Sequence, residues 1–258
     1  MGGSHACFAC AWCRGCGAKN TVVCIDSGEI SVYCRGMAEG TATDEPLPRG
    51  RHGLPRGAVV EHQRQRLIRA VPVAVRAKGF LALTVEDICG RAGVSRRTFY
   101  ENFRDKQDCF ITSYRQHAQE LMAVVTAAAS AGGDWQERAR FGLVALLRFL
   151  AEQPDVAHMA VIEVMAAGPS ALAERDKAVV SLAALIGEPA LAEAPHLPPL
   201  LLRTVSGAIL HLIYDRVRAG RSAELEQLLP TSMYMVLVAP LGPAGAAAAA
   251  GLVHPAPA

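Results

Sequence analysis

The amino-acid sequence predicts an all-α protein, with a three-helix N-terminal head followed by a larger helical body. Three observations carry that prediction. Apolar residues make up 51% of the 258 residues but aromatics only 5%. A sizeable core must therefore come mainly from Leu, Val and Ala, and Leu and Ala are strong helix formers. From Val59 onward the apolar residues recur at three- and four-residue spacing, the period of one helix face. Glycines punctuate these stretches, at Gly79, Gly93, Gly132-Gly133, Gly168, Gly187 and Gly220, as helix ends and tight turns require.

The chain begins differently. Residues 1–36 hold Cys7, Cys10, Cys13, Cys16, Cys24 and Cys34, six of the eight cysteines, and show neither a helical nor an alternating apolar period. Residues 37–57 are rich in Gly, Pro and Arg and read as a flexible arm. Residues 1–58 together are expected to be a disordered leader and basic arm. A first helix is expected over 59–78, with Pro72 inside it. Proline removes a backbone hydrogen bond and costs about 3 kcal/mol in a helix interior, so a kink or break is expected there.

Thr84 is a good N-cap, and Asp87 follows three residues later, close to a capping box. Val85, Ile88, Cys89 and Ala92 then share one helix face. Gly93 permits a turn with positive φ. Ser95 caps a second short helix, 96–103, whose inward side is Phe99 and Phe103, and Asp105 caps a third helix that starts near Lys106. These elements define a head over 59–105. The body, 106–239, is read as helices from Asp134 to about Gln153, from Pro154 to near Ala167, on to Gly187 and, after a Pro-rich loop at 188–198, over 199–219 and 223–238. The Ala/Gly/Pro-rich tail, 240–258, is expected to be disordered.

Charge is unevenly placed. The net formal charge is +2, but Arg49 to Lys106 holds 13 Lys/Arg against 5 Asp/Glu, a net of +8, while 107–258 holds 10 against 14. A concentrated basic block suits a polyanion such as DNA; a solvated basic face gives the same count. The motif separates the two readings. Two short helices joined through Gly93-Val94 form a helix-turn-helix pattern. Val85, Ile88, Ala92, Val94 and Phe99 lock it, while Arg96, Arg97, Thr98, Tyr100 and Asn102 face outward.

The stretch Gly93-Val-Ser-x-x-Thr-Phe-Tyr-x-x-Phe-x-x-Lys106, preceded by Lys78-Gly-Phe80, resembles the DNA-binding domain of TetR-family transcriptional regulators over about 45 residues, Arg64 to Asp108. The resemblance implies that the second short helix enters the major groove. Arg96 and Arg97 would reach guanine edges or phosphate, and Ser95 and Thr98 a phosphate or a thymine methyl. Tyr100 would touch the backbone, and Lys106 and the Thr84 amide would each pair with a phosphate. Arg49, Arg51 and Arg56 would either enter the adjacent minor groove or belong to a solvated linker.

The resemblance also implies that the body holds an effector pocket and that helices about 199–219 and 223–238 build a homodimer interface. Leu200, Leu201, Val205, Ile209, Leu212 and Ile213 on the first, and Leu225, Leu228, Leu229, Met233, Val236 and Leu237 on the second, exceed one core-facing stripe. A second subunit would cover the excess; a fully internal helix pair is the alternative. Phe141, Phe149, His158, Met159, Met165, His211 and Tyr214 are the pocket candidates, suited to a small apolar effector. His117 is read as an ordinary core or surface histidine.

The expected function is therefore a cytoplasmic, ligand-responsive repressor that binds a palindromic operator in double-stranded DNA as a dimer, with no cofactor. The alternative is a metal- or redox-sensing regulator using the N-terminal cysteines. A further expectation is that residues 1–36 are not part of the native protein, since Met37 stands where such a regulator ordinarily begins. No signal peptide is recognised. The uncharged run 228–258 is interrupted by prolines and glycines and is not expected to span a membrane. No catalytic triad spacing, phosphate-binding Gly loop or His-Glu-x-x-His is present, so enzymatic activity is not expected.

Overall fold

The computed structural model describes residues 21–26, 29–34, 56–198 and 200–252. Its helices are α1 (Arg56–Lys78), α2 (Val85–Ala92), α3 (Arg96–Asn102), α4 (Lys106–Ala129), α5 (Trp135–Glu152), α6 (Pro154–Val161), α7 (Pro169–Glu193), α8 (Leu201–Arg218) and α9 (Leu229–Ala250), with 3-10 turns at Glu163–Met165 and Ser222–Leu228. The all-α expectation holds for head and body. The leader departs from it. Strands β1 (Thr21–Asp26) and β2 (Glu29–Cys34) pair antiparallel, from Thr21 opposite Cys34 to Asp26 opposite Glu29. Val22, Val23, Ile25, Ile30, Val32 and Tyr33 are strand-favouring side chains, and Ser27-Gly28 lies between the runs. Cys24 and Cys34 lie on these strands, whereas Cys7, Cys10, Cys13, Cys16, Met37, Arg49 and Arg51 fall outside the described residues.

The described helices pack around two cores. The head core joins Leu67, Ile68, Val71 and Val75 of α1 to Ile88, Phe99, Phe103 and Phe110, and extends to Met159 and Val164 beyond α5. The second core joins Val124 and Val125 of α4 to Leu143, Leu147 and Leu150 of α5 and to Ile186, Ile213, Met233 and Leu237 from the later helices. α4 contributes to both, with Cys109, Phe110 and Tyr114 at its start and Val124, Val125 and Ala128 near its end.

Pro72 does not break α1, which runs unbroken from Arg56 to Lys78. The missing amide should leave the carbonyl four residues back, that of Ile68, without its helical partner. Ser113 of α4 supplies the bond: its hydroxyl donates to the Ile68 carbonyl at 2.8 Å, and Ser113 is fully buried. The proline is thus tolerated because a side chain from another helix replaces the donor it lacks.

Two other boundaries differ from expectation. α7 continues past Gly187 and Pro189 to Glu193. The tail expected to be disordered forms the end of α9, which reaches Ala250 after a kink at Gly242 (φ 72°, ψ 171°) between Pro240 and Pro243. Alanine is the best helix former, Ala246 and Ala250 are buried in the second core, and the Arg140 guanidinium donates to the Ala249 carbonyl in the last turn. These contacts hold a segment whose composition alone reads as low complexity. Among the described residues, Ser222–Ala250 is the one stretch long and apolar enough to cross a membrane by length and composition.

Candidate nucleic-acid interface and effector cavity

Local chemistry builds the head. Thr84 and Asp87 form a complete capping box: the Asp87 amide donates to Thr84 Oγ1 at 3.2 Å and the Thr84 amide to Asp87 Oδ2 at 2.9 Å. Asp87 also accepts from Lys78 Nζ at 2.6 Å, which ties the end of α1 to the start of α2. Lys78, then Thr84, hold the Asp87 carboxyl at about 2, below the usual carboxylate range. The turn after α2 needs Gly93 for its left-handed backbone, and Arg66 would have to shift to admit a Cβ there. The Gly93 φ is +62°, and a Cβ there would stand 2.5 Å from Arg66 Nη2 on α1. Ser95 caps α3 by accepting from the Thr98 amide at 3.1 Å, and Arg64 lies over the Phe103 ring.

Phe99, fully buried, and Phe103, 3% exposed, fix α3 to α1 and α2. The opposite face of α3 carries Arg96, Arg97 and Tyr100, all exposed, with Thr98 half-buried. Arg96 pairs with Glu86 and Arg97 with Glu101, yet the two arginine side chains remain 60% and 88% exposed. Exposed pairs of this kind are worth about 0–1 kcal/mol, so a phosphate or guanine can displace the carboxylates. Tyr100, then Glu86, push the Arg96 guanidinium still further above its ordinary range, so it stays charged. Ser95 and Thr98 bond each other through their hydroxyls at 2.9 Å. Arg56 opens α1.

Two of the predicted contacts have internal partners in the structure. The Lys106 ammonium donates to the carbonyls of Phe80, Leu81 and Leu83 at 3.0, 3.1 and 2.8 Å and lies over the Phe80 ring. All three of its donors close the α1–α2 connection, so it supports the head internally. The Thr84 amide is likewise held by Asp87.

A cavity of about 130 Å³ lies within the body between α4, α5, α6, α7, α8 and α9. Its walls are almost wholly apolar, among them Leu121, Leu143, Leu146, Leu182, Ile186, Val205, Ile209 and Ile213. Of the seven residues predicted for a pocket, Phe149 and Met159 line it. The other five do not. Phe141 packs against the second core from outside the cavity. His158 Nε2 lies 3.1 Å from Glu163 Oε1, and Glu163 Oε2 accepts from the Phe80 amide at 2.7 Å, so His158 belongs to the seam between head and body. Met165 is 54% exposed. His211 is exposed, paired with Asp215 and stacked on Tyr214. The sequence reading missed Tyr114, His117, Leu121 and Arg175, which do line the cavity. Tyr114, His117, Ala118 and Leu121 recur at helix-face spacing, a signal that was readable but indistinguishable from plain core. Among the described residues, no group of His, Cys, Asp and Glu could hold a metal ion.

Comparison with known proteins agrees with this geometry. Residues 75–112 match the family described as Bacterial regulatory proteins, tetR family. A comparison with curated proteins returns no match. Among solved structures, the chain is similar to the fatty acid degradation regulator FadR from Bacillus halodurans (TM-score 0.60, 16% identity, covering 67% of this chain and 97% of that one). It is similar to FadR from Bacillus subtilis in complex with stearoyl-CoA (TM-score 0.58, 14% identity, 69% and 98% covered). It also resembles a bacterial regulatory protein in the tetR family from Rhodococcus RHA1 (TM-score 0.57, 18% identity, 67% and 96% covered). The helix-turn-helix segment is thus matched in sequence by the tetR family over residues 75–112, and about two thirds of the chain is matched in fold by solved regulators.

Proposed function

We propose that the protein is a cytoplasmic, ligand-responsive repressor that binds a palindromic DNA operator as a homodimer, with an apolar molecule in the body cavity as its effector. The observation that carries the reading is the outward face of α3, where Arg96, Arg97 and Tyr100 stand exposed on a helix anchored by buried Phe99. That face fits the major groove; Arg96 and Arg97 supply base or phosphate contacts, Ser95, Thr98 and Tyr100 phosphate contacts, and the arm with Arg49, Arg51 and Arg56 adds charge in the neighbouring groove. The FadR complex with stearoyl-CoA supports an acyl-like effector, as does the apolar lining of the cavity. For the dimer, α8 and α9 carry half-buried Leu210, Leu212, Tyr214, Tyr234, Met235 and Val238 in addition to their core residues, the excess a partner's equivalent helices would cover. The same pairing accounts for the apolar length of Ser222–Ala250 without a membrane.

Footprinting on DNA upstream of the protein's own coding region tests this. The expected result is a protected palindrome with half-sites about one helical turn apart, bound by a species of twice the chain mass. Arg96→Ala and Arg97→Ala should each weaken binding, with at least one altering base preference at a single position of each half-site by about 1–3 kcal/mol. Equal binding of all duplexes by wild type and both variants would refute it.

A further inference from the structure

The cavity is not uniformly apolar: one end is lined by Tyr114, His117 and Arg175. α4 and α7 run parallel, since Arg115 pairs with Glu174 near their starts, while Val125 and Ile186 meet at Gly142 further along. Tyr114 and Arg175 therefore share one end, and Ile186 lies at the other, eleven residues and about 16 Å away along α7. At the first end, Tyr114 is 5% exposed and His117 8%. His117 Nδ1 lies 2.8 Å from the Ser113 carbonyl; a carbonyl only accepts, so Nδ1 carries the proton and Nε2 is left to the cavity. Burial pushes the Tyr114 hydroxyl up to about 12, with the charge of Arg175 pulling against it, so the hydroxyl stays a donor. Arg175 bonds the thioether of Met165 at 3.4 Å, a weak acceptor. Its neighbour Glu174 is already engaged by Arg115 and Lys177.

Arg175, which has no carboxylate partner among the described residues, the Tyr114 phenol and the His117 imidazole thus line one end of an otherwise apolar cavity. We propose that the effector is a straight-chain amphiphile with a free carboxylate head, the carboxylate held by Arg175 and Tyr114 beside His117, and the chain lying along α7 toward Ile186. The proposal rests on the effector reading above and specifies its ligand class. It places the head group against Tyr114, the residue next to Ser113, whose hydroxyl holds α4 to α1 at the Ile68 carbonyl.

Calorimetric titration of the full chain with octanoate, decanoate and dodecanoate, and with the matching methyl esters and coenzyme A thioesters, tests it. The carboxylates should tighten about tenfold for every two methylenes, and each ester should bind at least tenfold more weakly than its acid. Arg175→Met should reduce the acids to the level of the esters and leave the esters unchanged. Arg175→Lys should recover part of the difference, and Tyr114→Phe should lose a smaller part; unchanged melting temperatures establish that each variant is folded. Equal binding of acid and ester, equal weakening of both by Arg175→Met, or binding of the thioester in preference to the acid would overturn the head-group assignment while leaving an apolar effector intact. Failure of every aliphatic probe to bind would instead overturn the effector reading on which it rests.

Discussion

The repair of α1 at Pro72 can be measured as a coupling energy. Ser113→Ala removes the hydroxyl that donates to the Ile68 carbonyl at 2.8 Å in a fully buried site. That carbonyl then has no helical amide to accept from, because residue 72 has none, and an orphaned buried acceptor costs about 1–3 kcal/mol. Pro72→Ala restores an amide able to reach it. In that background the same Ser113→Ala change should cost under about 1 kcal/mol, so a double-mutant cycle should report a coupling of about 1–2 kcal/mol between residues 41 positions apart in sequence. Pro72 is itself buried, and the loss of its ring packing falls out of the cycle because both arms carry it. Urea denaturation of the four proteins at one chain concentration, followed by far-UV circular dichroism, supplies the free energies. Strict additivity within about 0.3 kcal/mol would refute the claim that Ser113 stands in for the missing donor.

Three further outcomes follow from the head. Lys106→Met keeps the aliphatic stem over Phe80 but removes bonds to three carbonyls; it should cost about 2 kcal/mol of stability and leave the salt dependence of DNA binding unchanged, whereas loss of a phosphate contact would lower that slope by about one. Phe99→Ala, at a site with no exposed surface, should destabilise the protein by about 3–5 kcal/mol and abolish operator binding in a gel-shift assay; a folded, DNA-competent variant would count against Phe99 as the anchor of α3. The Asp87 carboxyl is held at about 2 by Lys78 and then Thr84, below its ordinary 3.8. Its contribution is therefore complete above about pH 4 and fades as pH falls toward 2, so the stability gap between wild type and Asp87→Asn should close across that window, and a gap constant with pH would remove the ion pair and cap as its cause.

The head was legible because its signals are local. Thr84 with Asp87, Gly93, Ser95 and Asp105 each act within four residues of their own position, and the structure places all of them in the capping or turn geometry expected. The cavity was not legible because it exists only once α4 and α7 are side by side, some 60 residues apart. Residue type then misleads: Met165, His211 and Tyr214 look like pocket residues, but the helix phase turns Met165 and His211 to solvent. Tyr114 and His117 look like plain core and border the cavity. Pro72 and the tail failed for the same reason. A proline reads as a break until Ser113 is seen beside it, and an Ala/Gly/Pro run reads as disorder until Ala246 and Ala250 are buried and Arg140 caps the last turn.

The seam between head and body has two kinds of link, and their strengths differ. Arg76 with Asp155 is an ion pair with side chains 43% and 37% exposed, worth about 0–1 kcal/mol and weakened by salt. The Ser113 bond to Ile68, the Phe80 amide on Glu163 with His158 behind it, and Gln107 on the Ala167 carbonyl are buried or partly buried, where loss of a partner is costly. A ligand can change the angle of the head only through differential contact with the links that distinguish the two states. Under the proposed function, α4 is the element placed to carry such a change, because its first turns pack in the head core, its later turns in the body core, and Tyr114 and His117 line the cavity between them. A shift of α4 along its axis would strain the Ser113–Ile68 bond before it disturbed any exposed ion pair, so the coupling between cavity and DNA should depend on Ser113 and be nearly indifferent to Arg76.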